Sequence, residues 1–112
     1  MSFLSAIFGD KKAQNESIKT LSSNEFKCHI DGKKRLLVDV RTTKEYKSGH
    51  IKGARNINIF SGKFNTEFNK LDKKKPVYVY CRSGSRSRQA SKKLAKMGFE
   101  DIYDLKGGII NY

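Results

Sequence analysis

Across its 112 residues the chain has no tryptophan, one proline, two histidines, two cysteines, and only 11 acidic residues against 24 basic ones. Each scarcity excludes something. Two cysteines, Cys28 and Cys81, do not make a disulfide framework, so the question they raise is whether either thiol is reactive. His29 and His50 show no metal-ligand spacing with the cysteines, so no metal centre and no cofactor is expected. No apolar run approaches the roughly 20 residues that span a bilayer. The opening Met1 to Gly9 (MSFLSAIFG) is apolar but short, without the basic region and small-residue cleavage site of a secretory signal. A cytoplasmic protein without membrane contact is expected.

The shortage of acid leaves a net charge of +13. Such a surface attracts anions of any kind and binds nucleic acid weakly and without sequence preference. The positive residues lie scattered, in short clusters such as Lys33-Lys34-Arg35 and Lys73-Lys74-Lys75. No aromatic-interleaved platform or helix-turn-helix pattern accompanies them. They read as a solvated basic face, with docking of an acidic partner as the alternative and no specific nucleic-acid partner.

The length fits one domain, with residues 1–16 as an extension and 17–112 as the domain. In the extension, Phe3, Leu4, Ile7 and Phe8 form one amphipathic turn. Beyond it, strand and helix patterns alternate. Ile18 to Leu21 reads as a strand, and Ser22-x-x-Glu25 has the form of a capping box opening a helix through His29. Leu36 to Val40 is a near-continuous apolar run, as expected of a strand buried on both faces. A short helical turn follows Thr42 and ends at Gly49, and Ile57 and Ile59 mark another strand. Phe60, Phe64, Phe68 and Leu71 share one helical face. Val77 to Tyr80 is a strand after Pro76, Ser87 to Met97 a helix stopped by Gly98, and Ile102 to Leu105 a last strand. This alternation implies an α/β fold: a mainly parallel central sheet of about five strands with helices on both faces.

In such sheets, sites form beyond the carboxyl ends of the strands, and Cys81 stands there, directly after VYVY. The stretch VYVYCRSGSRSRQA puts a cysteine after a buried strand, then a loop containing Gly84, then a helix. A loop wrapped in this way turns backbone N–H groups inward, and with the positive helix end it makes an anion-binding nest. Arg82, Arg86 and Arg88 add charge. All of this favours thiolate, so a depressed Cys81 pKa and a nucleophilic role are expected. Cys28 stands beside Phe26 with no such surroundings and reads as structural.

The loop Cys81-Arg82-Ser83-Gly84-Ser85-Arg86-Ser87 resembles the active-site loop of rhodanese-type sulfurtransferases. Two further stretches are similar to the family's other characteristic segments. One runs through Asp39-Val40-Arg41, Glu45-Tyr46 and Gly49-His50-Ile51-x-Gly53-Ala54-x-Asn56-Ile57; the other is Leu105-x-Gly107-Gly108. Where family members often carry a tryptophan near the end, this chain has Tyr112. The resemblance implies a rhodanese-like fold and a two-step reaction. Cys81 takes sulfur from a small anionic donor such as thiosulfate, and a thiol, a protein acceptor or cyanide removes it. The residues Arg82, Ser83, Gly84, Ser85, Arg86 and Ser87 would cradle the persulfide, with Arg86 attracting the donor or bracing the loop. Asp39 is a possible supporting residue and Arg41 a partner for Glu45, while His50 reads as a hydrogen-bonded turn residue rather than a base.

Three other readings share these residues. A sulfur-relay protein has the same chemistry and different partners. A non-catalytic interaction module would have no need of the cysteine. Cysteine-dependent phosphatases and arsenate reductases use a loop one residue longer between cysteine and arginine; here Ser87 occupies the position their pattern requires to be arginine.

Overall fold

In a computed structural model that describes residues 14–112, two hydroxyl residues start helices in the same way. The Ser22 hydroxyl accepts from the Glu25 N–H at 3.2 Å and the Glu25 carboxylate accepts from the Ser22 N–H at 2.8 Å, opening α1 (Ser23–Ile30). Thr42 and Glu45 repeat the arrangement at 3.2 and 3.1 Å and open α2 (Thr43–Ser48), which Gly49 ends. Each cap supplies about 1 kcal/mol. The expected amphipathic turn over Phe3, Leu4, Ile7 and Phe8 lies outside the described residues.

Five strands form one parallel sheet: β1 (Ile18–Leu21), β2 (Leu36–Asp39), β3 (Arg55–Asn56), β4 (Val77–Tyr80) and β5 (Ile102–Leu105), in the order β1-β5-β4-β2-β3. All four residues of β4 are buried, which is why its sequence is continuously apolar rather than alternating. On one face, Phe26 and Ile30 of α1 pack with Ile51 and Ala54 over Leu37, Tyr78, Tyr80 and Leu105. On the other, α3 (Phe64–Asn69) and α4 (Ser85–Lys96) bring Phe64, Phe68, Ala90 and Leu94 onto Val38, Val77, Val79 and Ile102. The sheet is therefore covered on both faces, as the alternating pattern implies. Among the described residues no helix is long and apolar enough to cross a membrane.

Three local expectations need correction. The aromatic stripe is helical only from Phe64; Phe60 is 69% exposed. The preceding residues make a turn instead, in which the Asn58 side chain accepts from the Phe60 N–H and the Ser61 hydroxyl from the Lys63 N–H, at 2.9 and 3.0 Å. The strand marked by Ile57 and Ile59 is shorter and earlier, although both buried isoleucines still donate their N–H groups to the carbonyls of Asp39 and Val40 at the end of β2. Helix α4 begins at Ser85 rather than Ser87, because Gly84 takes the helix-entry position with φ +112°.

Candidate active site

All five strands point their carboxyl ends to one edge of the sheet, and β4 delivers Cys81 to it. The cysteine is buried, 1% exposed, although Arg82 and Ser83 on the loop after it and Ser85 at the start of α4 are exposed. The left-handed turn at Gly84, a conformation disfavoured for residues with a Cβ, folds the chain back so that the Gly84 N–H donates to Cys81 Sγ at 3.0 Å. Helix α4 starts at the next residue, and its first N–H groups have no intrahelical partners. This is the inward N–H of a nest together with the positive end of a helix.

The loop is held from outside by the C-terminal turn. Ile109 and Ile110 donate their N–H groups to the carbonyls of Cys81 and Arg82 at 2.9 and 3.1 Å. In a planar trans peptide the N–H opposes the C=O, so fixing these two carbonyls outward turns the N–H groups of Arg82 and Ser83 the other way. Gly108 makes the approach possible. A Cβ there would overlap the Arg82 carbonyl and the Ser83 nitrogen.

Arg86 is taken up by Glu45 of α2 through a two-pronged pair at 2.6 and 2.9 Å. Those bonds hold the Glu45 carboxyl well down, to about 2, and raise the arginine. Arg86 therefore braces the loop against α2. Asp39 and Arg41 pair with each other at 2.7 Å instead of reaching the loop, and Arg41 also donates to the Gly49 carbonyl at 2.6 Å. The expected Arg41–Glu45 pair is thus replaced by two others, because Arg41 precedes the helix and Glu45 is already turned toward its cap. Asp39 and Arg41 serve the scaffold between β2 and the Gly49 turn. His50 is exposed, stacks on Tyr46 and meets the Tyr46 carbonyl at 2.9 Å, which is the turn role expected of it. Cys28 is exposed rather than structural.

One residue escaped the sequence reading. Asp104 of β5 is 4% exposed, and its Oδ1 lies 2.6 Å from the Ser87 hydroxyl, which is itself 3.6 Å from Cys81 Sγ. Burial pushes its carboxyl up to about 6, against the opposing pull of Ser87 and Arg88. Its sign in the sequence is a lone carboxylate inside the apolar strand Ile102-Tyr103-Asp104-Leu105. No group of three or more His, Cys, Asp or Glu residues is placed to hold a metal among the described residues.

Known proteins are similar to this chain in sequence and in fold. Residues 22–112 match the profile of the Rhodanese-like domain. The uncharacterized protein YqhL of Bacillus subtilis (strain 168) is 41% identical over 95 residues, covering 85% of this chain and 72% of that protein. A tRNA uridine(34) hydroxylase of Pelagibacter ubique (strain HTCC1062) is 39% identical over 101 residues, covering 81% of this chain and 34% of that protein. A putative sulfur carrier protein of Bacillus subtilis (strain 168), YrkF, is 31% identical over 103 residues, covering 90% and 55%. The chain thus spans about a third of the hydroxylase and about half of the carrier. Among solved structures, a rhodanese-like domain protein from Staphylococcus aureus superposes with a TM-score of 0.71 at 28% identity, covering 81% of this chain and 87% of that one.

Proposed function

The chain belongs to the rhodanese-like domain family, and on that premise we propose that it is a sulfurtransferase carrying sulfur on Cys81 as a persulfide. The observation that carries this reading is the sulfur itself, buried at the end of β4 and receiving the Gly84 N–H at 3.0 Å at the mouth of a helix.

The reaction has two halves. The Cys81 sulfur attacks the outer sulfur of a donor such as thiosulfate; the new S–S bond forms as the old one breaks, and sulfite leaves with its electron pair. The terminal sulfur of the persulfide then lies over the loop, where N–H groups and the helix end stabilise its negative charge. An acceptor thiol, free or on a protein, attacks that terminal sulfur, and Cys81 leaves as thiolate. This is covalent catalysis in which each half is an exchange at sulfur. Arg82 is exposed next to Cys81, and its positive charge would draw an anionic donor toward the loop. A reducing cytoplasm suits a carrier whose thiol must stay free between cycles.

Two features favour this over phosphoryl transfer. Only four residues separate Cys81 from Arg86, and the Arg86 guanidinium is already engaged by Glu45, so it is not free to clamp a tetrahedral oxyanion. The relatives named as tRNA uridine(34) hydroxylases carry much more chain than the part matched here, and the reaction in their name is not carried over.

Incubation with thiosulfate, followed by intact-mass measurement and a thiocyanate assay with cyanide, tests the reading. One added sulfur and thiocyanate formation are expected in the wild type and in Cys28→Ser, and neither in Cys81→Ser. Equal loss in both variants, or turnover that persists without Cys81, overturns it.

A further inference from the structure

Behind the reacting sulfur three side chains stand in line. Cys81 Sγ is 3.6 Å from Ser87 Oγ, and Ser87 Oγ is 2.6 Å from Asp104 Oδ1. All three residues are buried, and the Ser87 oxygen also lies 3.2 Å from the Gly84 carbonyl. A hydroxyl has one proton to give, so its direction depends on its neighbours. When Asp104 is ionised it accepts the Ser87 hydroxyl hydrogen bond, and the Ser87 oxygen turns a lone pair to the sulfur, where it accepts from a thiol S–H. When Asp104 is protonated it donates to Ser87, and the Ser87 proton is free to point at the sulfur, where it stabilises an anion. Two buried anions this close oppose each other, so the site favours one negative charge in either arrangement.

Resting on the assignment of Cys81 as the sulfur carrier, we propose that Asp104 receives the Cys81 thiol proton through Ser87, so that the sulfur ionises without a proton leaving the buried site. The step balances. The Cys81 S–H bond breaks as a new Ser87 O–H forms, and the former Ser87 O–H breaks as an Asp104 O–H forms. Net charge is unchanged and no other reactant is consumed. Asp104 is a positioning residue in this scheme, acting on the sulfur only through Ser87. When sulfur is loaded, the proton stays on Asp104 and Ser87 keeps donating to the persulfide.

The surroundings are consistent with an exchangeable proton. Arg88 in the first turn of α4 favours the ionised carboxyl. From β1, Thr20 faces Asp104 in register and Lys19 stands one place away, opposite Tyr103. From β4, Val79 is its register partner. The helical turn Gln14–Ser17, packed on α4, carries Glu16. Burial outweighs Arg88 and leaves the carboxyl at about 6, where proton exchange is available near neutral pH.

The test is the rate of Cys81 alkylation by iodoacetamide against pH, in a Cys28→Ser background so that one thiol reports. Two coupled groups release protons in two macroscopic steps. The wild type should show two rises, while Asp104→Asn, close in shape but unable to accept the proton, should show one. At the plateau between the wild-type steps, Asp104→Asn should react at least as fast as the wild type, because no second buried anion opposes its thiolate. A single-step wild-type profile overturns the proposal without any variant, as does an unchanged profile in Asp104→Asn. In the wild type, infrared difference spectra of sulfur-loaded against sulfur-free protein should show a carboxylate converted to a protonated carboxyl. If mass measurement shows sulfur on Cys81 and no carboxyl changes, the relay through Ser87 is wrong and the persulfide reading stands. If thiosulfate adds no sulfur, the persulfide reading falls while the alkylation profile still decides the role of Asp104.

Discussion

Replacing Gly108 with alanine should damage the active site from outside it, and the size of the effect follows from the geometry. Gly108 has φ +69° and ψ −173°, a region essentially reserved for glycine that costs other residues about 1–3 kcal/mol. Its added Cβ would also overlap the Arg82 carbonyl and the Ser83 nitrogen, both backbone atoms that cannot rotate aside. The turn must therefore swing off the loop, weakening the bonds from Ile109 and Ile110 to the carbonyls of Cys81 and Arg82, at about 1 kcal/mol each. A total near 3–4 kcal/mol leaves most small domains folded. Gly53→Ala is the matched control. It too has positive φ, +87°, but nothing lies within 4 Å of the place its methyl group would take, so it should cost only about 1–2 kcal/mol. Urea denaturation and thiocyanate formation, measured side by side, decide the matter. Gly108→Ala should lose roughly two further kcal/mol relative to Gly53→Ala and about 100-fold in turnover, as expected for a displacement of about 1 Å at the reacting centre. If the two variants behave alike in both assays, the C-terminal turn does not hold the loop and the reasoning fails.

Other perturbations have equally definite outcomes. Glu45→Gln removes the brace on Arg86. Because the folded carboxyl is depressed to about 2, its stabilisation is present above the unfolded value of about 4.5 and is lost as pH falls toward 2. The stability gap between wild type and Glu45→Gln should therefore be full at about pH 7 and close through that window, read by denaturant midpoints at each pH. Aryl phosphates should not be hydrolysed at a rate above background while thiosulfate is turned over, since Arg86 is committed to Glu45; the reverse ranking would favour a phosphatase. Nucleic acid, if bound, should be bound without sequence preference and released by raised salt, as a dispersed +13 charge dictates; binding that discriminates between sequences in raised salt would contradict this.

What the sequence disclosed was mainly what local chemistry determines. Ser22 with Glu25 and Thr42 with Glu45 announce their helices because a capping box is written within four residues. VYVY reads as a buried strand because both its faces are covered. Cys81 is conspicuous for the same reason, since strand, loop and helix are contiguous around it. What stayed hidden depends on contacts between distant segments. The partner of Arg86 is 41 residues away on α2, and the i,i+4 spacing of Arg41 and Glu45 suggested a nearer pairing that the cap at Thr42 forecloses. Asp104 is 17 residues from Ser87, and only the adjacency of β4 and β5 brings them together. Phe60 had the right spacing for a helix, but Asn58 and Ser61 offered its backbone a turn instead.

The dependence of the Cys81 loop on the last segment of the fold has a consequence for the timing of activity in a newly made chain. Synthesis runs from the amino end, so Cys81 emerges before Asp104, Gly108 and the N–H groups of Ile109 and Ile110 that complete its surroundings. Strand β1 must wait as well, because its partner in the sheet is β5. A nascent chain that has exposed only the residues through Cys81 therefore lacks these partners, and the loop is braced only when the downstream segment from Asp104 to Ile110 has folded onto it.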